Sequence, residues 1–325
     1  VNPSGTKPIA GSATLPPPSI PASAAEQLAV TAGDGLGLRL YRLLRGRADA
    51  PVLLWGHANG FSAGSYLPLL EELCDDFQVF AFDARGHGGS QQPPAPLGET
   101  LHIDRYTSDL GLHVARIREI VGDRPMFYAA HSFSGVAALR LGAIEGMAPW
   151  RAVVLFEPPL VPTPDHPEYA IAASTGRDLI AGASRRRRRW ADPATYAASL
   201  GKRIPYSRFR PDMLQAHCTA TLRPTGEGDC ELACAPEVEM ATYEAVDNFT
   251  TFEALPQFPC PVHFVASEPA VPPAPPSWAA LVQELAAARV PGARLTRLEG
   301  AGHMMTFERP DACRHILLET LVNFS

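Results

Sequence analysis

The chain is poor in cysteine, has no long apolar run and carries no strong charge of either sign. Six cysteines in 325 residues, Cys74, Cys218, Cys230, Cys234, Cys260 and Cys313, lie in segments of quite different character, which argues against a disulfide framework. Cys230 and Cys234 have a spacing that suits a metal, but no second Cys or His pair stands nearby to complete a tetrahedral site. No stretch approaches the roughly 20 apolar residues of a membrane-spanning helix. A net charge of −6 gives no reason to expect a nucleic-acid partner. There is no internal repeat. The run Gly86-His87-Gly88 lacks the strand–GxGxxG–helix frame of a dinucleotide site. No basic segment followed by an apolar one marks a secretory signal, so a cytoplasmic location is the default expectation, with a removed signal sequence left open.

What is present is a hydrophobic content of 46%, enough for one large α/β domain with an inserted subdomain. Residues 1–25 hold Pro8, Pro16, Pro17, Pro18 and Pro21 among Ser, Gly and Ala, without hydrophobic periodicity, and read as a disordered Pro-rich arm. Strand-like runs then alternate with helix-like ones. LGLRLYRLL, APVLLWG, FQVFAFD, PMFYAA, RAVVLFE, CPVHFVAS and ARLTRLEG read as strands, and YLPLLEELCDDF and DRYTSDLGLHVARIREIVG as amphipathic helices. The alternation implies a doubly wound, mostly parallel sheet. Residues 26–157 and 256–325 form the expected core, and residues 158–255 a helical cap over the sheet's C-terminal edge. Within that insertion Arg185–Arg189 reads as a solvated face, since five successive residues on a helix point in every direction. One of them facing a substrate carboxylate or phosphate is the minority alternative.

The segment from Pro125 to Arg140 passes from an apolar strand through Ala130-His131-Ser132-Phe133-Ser134-Gly135 into an alanine-rich helix. A nucleophilic serine is mounted this way, on a sharp strand-to-helix turn that needs small neighbours. Taken in order, GHANGFSAGSY, FDARGHGGS, AHSFSG and EGAGHMMTFERPD resemble the signature regions of the α/β-hydrolase superfamily, from Gly56 to Asp311.

The resemblance implies the α/β-hydrolase fold, with Ser132 as nucleophile and His303 as general base. Most relatives place the third member, an aspartate, after the strand CPVHFVAS, where this chain has Ala270. Glu268 stands two residues earlier. Glu157 in VVLFEPP resembles the acid placement of many haloalkane dehalogenases, and it is the preferred acid, with Glu268 the alternative. A serine where dehalogenases use aspartate argues against carbon–halogen displacement. The oxyanion donors are expected to be the Phe133 amide and one from the HANGF turn, either Asn59, through its amide or side chain, or Phe61.

Among the other histidines, His131 is expected to pack, His87 to shape a turn and His57 to support the oxyanion loop. Asp83 and Arg85 read as backbone-holding groups. Tyr169, Trp190, Tyr196, Tyr206, Phe209 and Met213 are candidate apolar walls, at least half of them the insertion's own packing. The reading is a carboxylesterase-like serine hydrolase acting on a small, partly apolar ester, with no cofactor and no metal. The alternatives are an acyltransferase or perhydrolase using the same acyl-enzyme, or a non-catalytic ligand receptor.

Overall fold

The computed structural model describes residues 15–245, 249–269 and 277–322. Eight strands form the main sheet: β1 (Ala25–Thr31), β2 (Gly37–Leu43), β3 (Val52–Gly56), β4 (Gln78–Asp83), β5 (Met126–His131), β6 (Val153–Phe156), β10 (Val262–Ser267) and β11 (Arg294–Leu298). Three short strands, β7 (Arg189–Trp190), β8 (Leu222–Pro224) and β9 (Cys230–Leu232), make a second, antiparallel sheet. The helices α1 (Leu67–Leu73), α2 (Leu97–Thr100), α3 (Ile103–Val121) and α4 (Phe133–Ala143) precede β6. Between β6 and β10 come α5 (Tyr169–Ser184), α6 (Pro193–Leu200), α7 (Pro211–Ala220), α8 (Pro236–Ala245) and α9 (Phe249–Ala254), and the chain continues through α10 (Trp278–Arg289), α11 (Met305–Glu308) and α12 (Pro310–Val322).

The sheet order is β1-β2-β4-β3-β5-β6-β10-β11. β1–β2 and β2–β4 pair antiparallel and all the other pairs are parallel. Every residue of β3, β4, β5, β6 and β10 is buried, as expected for strands covered on both faces. The period-two alternation shows in β3, whose Val52 and Leu54 join one apolar cluster with residues of α3, α4 and α10. Its Leu53 and Trp55 join the opposite cluster, with residues of α1 and α12. All seven strands expected from the sequence form, and so do both helices.

Two expectations change. β1 falls outside the expected strands, although its buried–exposed alternation is present in the sequence. Residues 15–25, expected as the end of a disordered arm, are docked instead, while residues 1–14 lie outside the described residues. Ile20 is fully buried, the Ser19 hydroxyl donates to Asp83 at 2.9 Å, and Ser19 N–H donates to the Tyr41 hydroxyl at 2.8 Å. The cause is Asp83 at the end of β4, buried and in need of donors. It accepts from Ala63 N–H (2.8 Å), Gly89 N–H (2.7 Å) and the Tyr41 hydroxyl (2.7 Å) as well, and burial raises its carboxyl above the ordinary range.

The insertion was expected to be helical, but it also contains β7–β9. Trp190, Tyr196, Leu200, Cys218 and Leu232 form a small apolar cluster of its own. Among the described residues no helix is long and apolar enough to cross a membrane.

Candidate active site

The end of β5 makes a sharp turn. Ser132 has φ 61° and ψ −128°, a backbone that L-residues rarely adopt, and α4 begins at the next residue. The strain is held from both sides. Ser132 N–H donates to Phe156 O at 2.8 Å, which prolongs the β5–β6 pairing, and Gly135 N–H donates to Ser132 O at 2.9 Å, which starts the helix. Ser134 must be small because Gly56, the last residue of β3, presses against it: a Cβ on Gly56 would lie 2.6 Å from Ser134 Cβ. The hydroxyl accepts no larger neighbour either, since it donates to His57 O at 2.6 Å. A serine at this position supplies a hydrogen bond that a glycine would lack.

Glu157 repeats this construction at the end of β6. Its φ is +48°, its N–H donates to Val265 O at 3.1 Å, and its side chain is fully buried. One carboxylate oxygen, Oε1, accepts from Ser267 N–H at 2.6 Å, at the end of β10. The other, Oε2, accepts from His303 Nδ1 at 2.7 Å, and His303 Nε2 lies 3.3 Å from Ser132 Oγ. Hydroxyl, imidazole and carboxylate thus form one line. With Nδ1 protonated toward Glu157, Nε2 presents its lone pair to the hydroxyl, so the line can take the serine proton and stabilise the imidazolium.

Glu268, the alternative acid, forms no hydrogen bond or ion pair with His303. Its N–H donates to Ala301 O at 3.3 Å, and its carboxylate has no partner among the described residues. Ala270 lies outside the described residues.

The turn after β3 discriminates between the expected oxyanion donors. Ala58 N–H donates to the Tyr66 hydroxyl (3.1 Å), Gly60 N–H to His87 Nε2 (3.1 Å) and Phe61 N–H to Ala58 O (3.1 Å). Of the expected donors, the Phe61 amide is thus engaged within the turn. The Asn59 side chain is engaged too, with Nδ2 donating to Glu239 O at 2.9 Å. Among the described residues the amides of Asn59 and Phe133 have no hydrogen-bond partner.

His57 supports this turn: Nδ1–H donates to Ala58 O at 2.8 Å and Nε2 accepts from Ala84 N–H at 2.9 Å. Complete burial pushes His57 down to about 4 and His87 to about 3, so both are neutral near pH 7.

His131 does more than pack. Its Nε2–H donates to His303 O at 2.9 Å, and its Nδ1 accepts from the Tyr66 hydroxyl at 2.8 Å. Since Tyr66 accepts from Ala58 N–H, one chain of bonds joins the HANGF turn to the His303 loop. Burial holds His131 well below the usual imidazole range, which keeps this donor–acceptor pattern. Nothing in the sequence spacing marks Tyr66 for this role. The far side of the His303 loop is held by Glu308, which accepts from Gly302 N–H at 3.0 Å and pairs with Arg208 at 2.9 Å.

Ser132 and His303 open on a cavity of about 470 Å³. Its walls include Phe61, Leu179, Tyr206, Tyr243, Trp278 and Met304. Of the aromatic and Met candidates from the insertion, only Tyr206 lines it; Trp190 and Tyr196 sit in the insertion's own cluster, and Phe209 and Met213 in the main core. The arginine run divides similarly. Arg187 lies 4.5 Å over the Trp190 ring, Arg188 pairs with Glu237, and Arg189 pairs with Glu227 and Asp229. Arg186 alone of the five lines the cavity, donating to Glu239 Oε2 (2.5 Å) and to the Tyr196 hydroxyl (2.9 Å).

The fold is similar to those of several solved structures. The E-2-(acetamidomethylene)succinate hydrolase structure superposes with a TM-score of 0.70 at 19% identity, covering 91% of this chain and 99% of that one. The thioesterase domain from the curacin biosynthetic pathway gives 0.68 at 18%, covering 91% and 100%. A thermophilic esterase from Thermogutta terrifontis gives 0.64 at 20%, covering 92% and 99%. At these identities the likeness is one of fold. No curated protein sequence matches the chain. The model described as "Alpha/beta hydrolase family" matches residues 52–316, a span from β3 to α12 that holds the Ser132–His303–Glu157 line, and the chain belongs to that family.

Proposed function

We propose that the protein is a serine hydrolase that cleaves a carboxylic ester, or a related acyl bond, of a small and partly apolar substrate through an acyl-enzyme. The observation that carries this reading is the hydrogen-bonded line from Ser132 Oγ through His303 to the buried Glu157. Ser132 attacks the acyl carbon while His303 Nε2 takes its proton, and Glu157 stabilises the imidazolium. The tetrahedral oxyanion is received by the uncommitted amides of Phe133 and Asn59. His303 then returns the proton to the leaving alcohol, and a water activated by the same imidazole releases the acid. The residues between β6 and β10 serve as a cap, closing the cavity over the strand ends and lending it apolar walls.

The test is intact-mass analysis after incubation with a fluorophosphonate, with peptide mapping of the adduct and release of alcohol from simple esters as the second readout. One adduct on Ser132, absent in Ser132→Ala, with alcohol released, is the expected result. A folded protein that forms no adduct and releases no alcohol overturns the reading.

A further inference from the structure

The charged side chains around the cavity do not cancel. Arg186 is matched by Glu239 and Arg208 by Glu308. Glu157 is committed to His303. That leaves Glu268, a half-buried carboxylate in the cavity wall with no partner among the described residues. The nearest cation on its own strand neighbour is already occupied: Arg297 donates to Ser267 O at 3.0 Å and pairs with Glu284. The chain beyond it offers no compensation, for residues 270–276 read Ala-Val-Pro-Pro-Ala-Pro-Pro and carry no ionisable side chain.

An unpaired carboxylate in a largely apolar cavity wall is open to a charged partner that a bound molecule brings. Trp278 also lines the cavity but is only 3% exposed, with its indole N–H given to Leu160 O at 2.9 Å, so charge is what this wall offers. A carboxylate in a largely apolar wall suits a cationic nitrogen and repels an anionic group.

We infer that the Glu268 wall is the specificity-determining subsite for a positively charged, ammonium-type group on the substrate. The inference rests on the proposed reaction at Ser132 for its place in catalysis, but the binding site itself does not require turnover.

The test compares ester pairs matched in shape: acetates of choline and of its neutral tert-butyl isostere, and ethyl esters of butanoic acids ending in trimethylammonium or tert-butyl. In at least one pair the cationic member is expected to have a kcat/KM about tenfold higher or more, as a charged hydrogen-bond or ion partner confers in a desolvated site. Glu268→Gln brings that ratio to within about threefold of one, and Glu268→Asp retains more of it, as a retained charge predicts. A second measurement is independent of hydrolysis: calorimetric titration of the wild-type protein with choline and with the neutral isostere, where choline binds more tightly and loses its advantage in Glu268→Gln. Equal or better turnover of the neutral members in both pairs, or a ratio unmoved by Glu268→Gln, overturns the inference. If no ester is turned over, the hydrolase reading fails by itself, and the choline titration alone decides the subsite.

Discussion

At the strand ends, the groups proposed to react are held by backbone. Ser132 and Glu157 both have positive φ, and each is fixed by hydrogen bonds from its main chain to the neighbouring strand. In the residues between β6 and β10, position is held mostly by side chains: Arg186 on Glu239, Arg188 on Glu237, Arg189 on Glu227 and Asp229. The first kind of support tolerates little change because the sheet determines it. The second can be rewritten residue by residue. The contrast is between groups fixed by the sheet and an insertion held by replaceable side-chain pairs, and four experiments can break or sharpen it.

The largest effect is expected for Glu157→Gln. Without the carboxylate the imidazole loses its orienting partner, and kcat on a neutral ester should fall on the order of 10⁴-fold, far more than for Glu268→Gln. Steady-state kinetics of both variants checks this; a larger loss in Glu268→Gln would move the acid.

Acid should unfold the core steeply. His57 is held down to about 4, and His87, His113 and His217 to about 3, each by burial against an ordinary value of 6.5. The unfolded chain binds these protons and the folded one does not. Stability is therefore complete above 6.5 and is lost as the pH falls toward 3–4, by about 1.4 kcal/mol per pH unit for each fully participating histidine. Urea midpoints between pH 7 and pH 4 should report uptake of more than one proton on unfolding; a flat profile refutes the neutral buried imidazoles.

Gly60→Ala strikes where the two regions meet. Gly60 has φ +76°, and an added Cβ would lie 2.9 Å from Arg186 Nη1 and 3.0 Å from the Glu239 carboxyl carbon. The backbone conformation alone costs about 1–2 kcal/mol, read as a lower denaturant midpoint. Displacing the adjacent Asn59 amide should lower kcat by about 10²-fold. If kcat is unchanged while stability drops, Asn59 is not a donor.

The smallest effect belongs to Arg189→Ala. Its ion pairs with Glu227 and Asp229 lie at the surface, so neither the unfolding midpoint nor kcat should shift measurably. A clear loss in either would mean that the insertion relies on this pair more than surface electrostatics allows.

The legible parts of the molecule were those where local pattern and three-dimensional role coincide. β5 through α4 reads directly, because a buried strand, a strained serine and a small-residue helix leave a contiguous trace from Met126 to Ala143. Glu157 was legible only as one of two acids; what separates it from Glu268 is a contact across 146 residues, which no local spacing encodes. The same holds for Tyr66 and His131. Their bonds join turns that the sequence places far apart, and a tyrosine in a helix-like segment looks like any core residue. In the insertion the aromatic residues gave little direction, since Trp190 and Tyr196 fill its small interior while the cavity wall uses Leu179, Tyr206 and Tyr243. Residues 15–25 are illegible for a related reason: proline-rich composition resembles an untethered tail, and the partner that fixes Ser19 is Asp83, far along the chain.

The bond from Asn59 Nδ2 to the Glu239 carbonyl ties the turn after β3 to α8. Any displacement of α8 would therefore be felt at the residue whose amide is proposed to meet the developing negative charge. The insertion and the proposed oxyanion turn are thus coupled by one side-chain bond, and a substitution that frees Asn59 Nδ2 would loosen both at once.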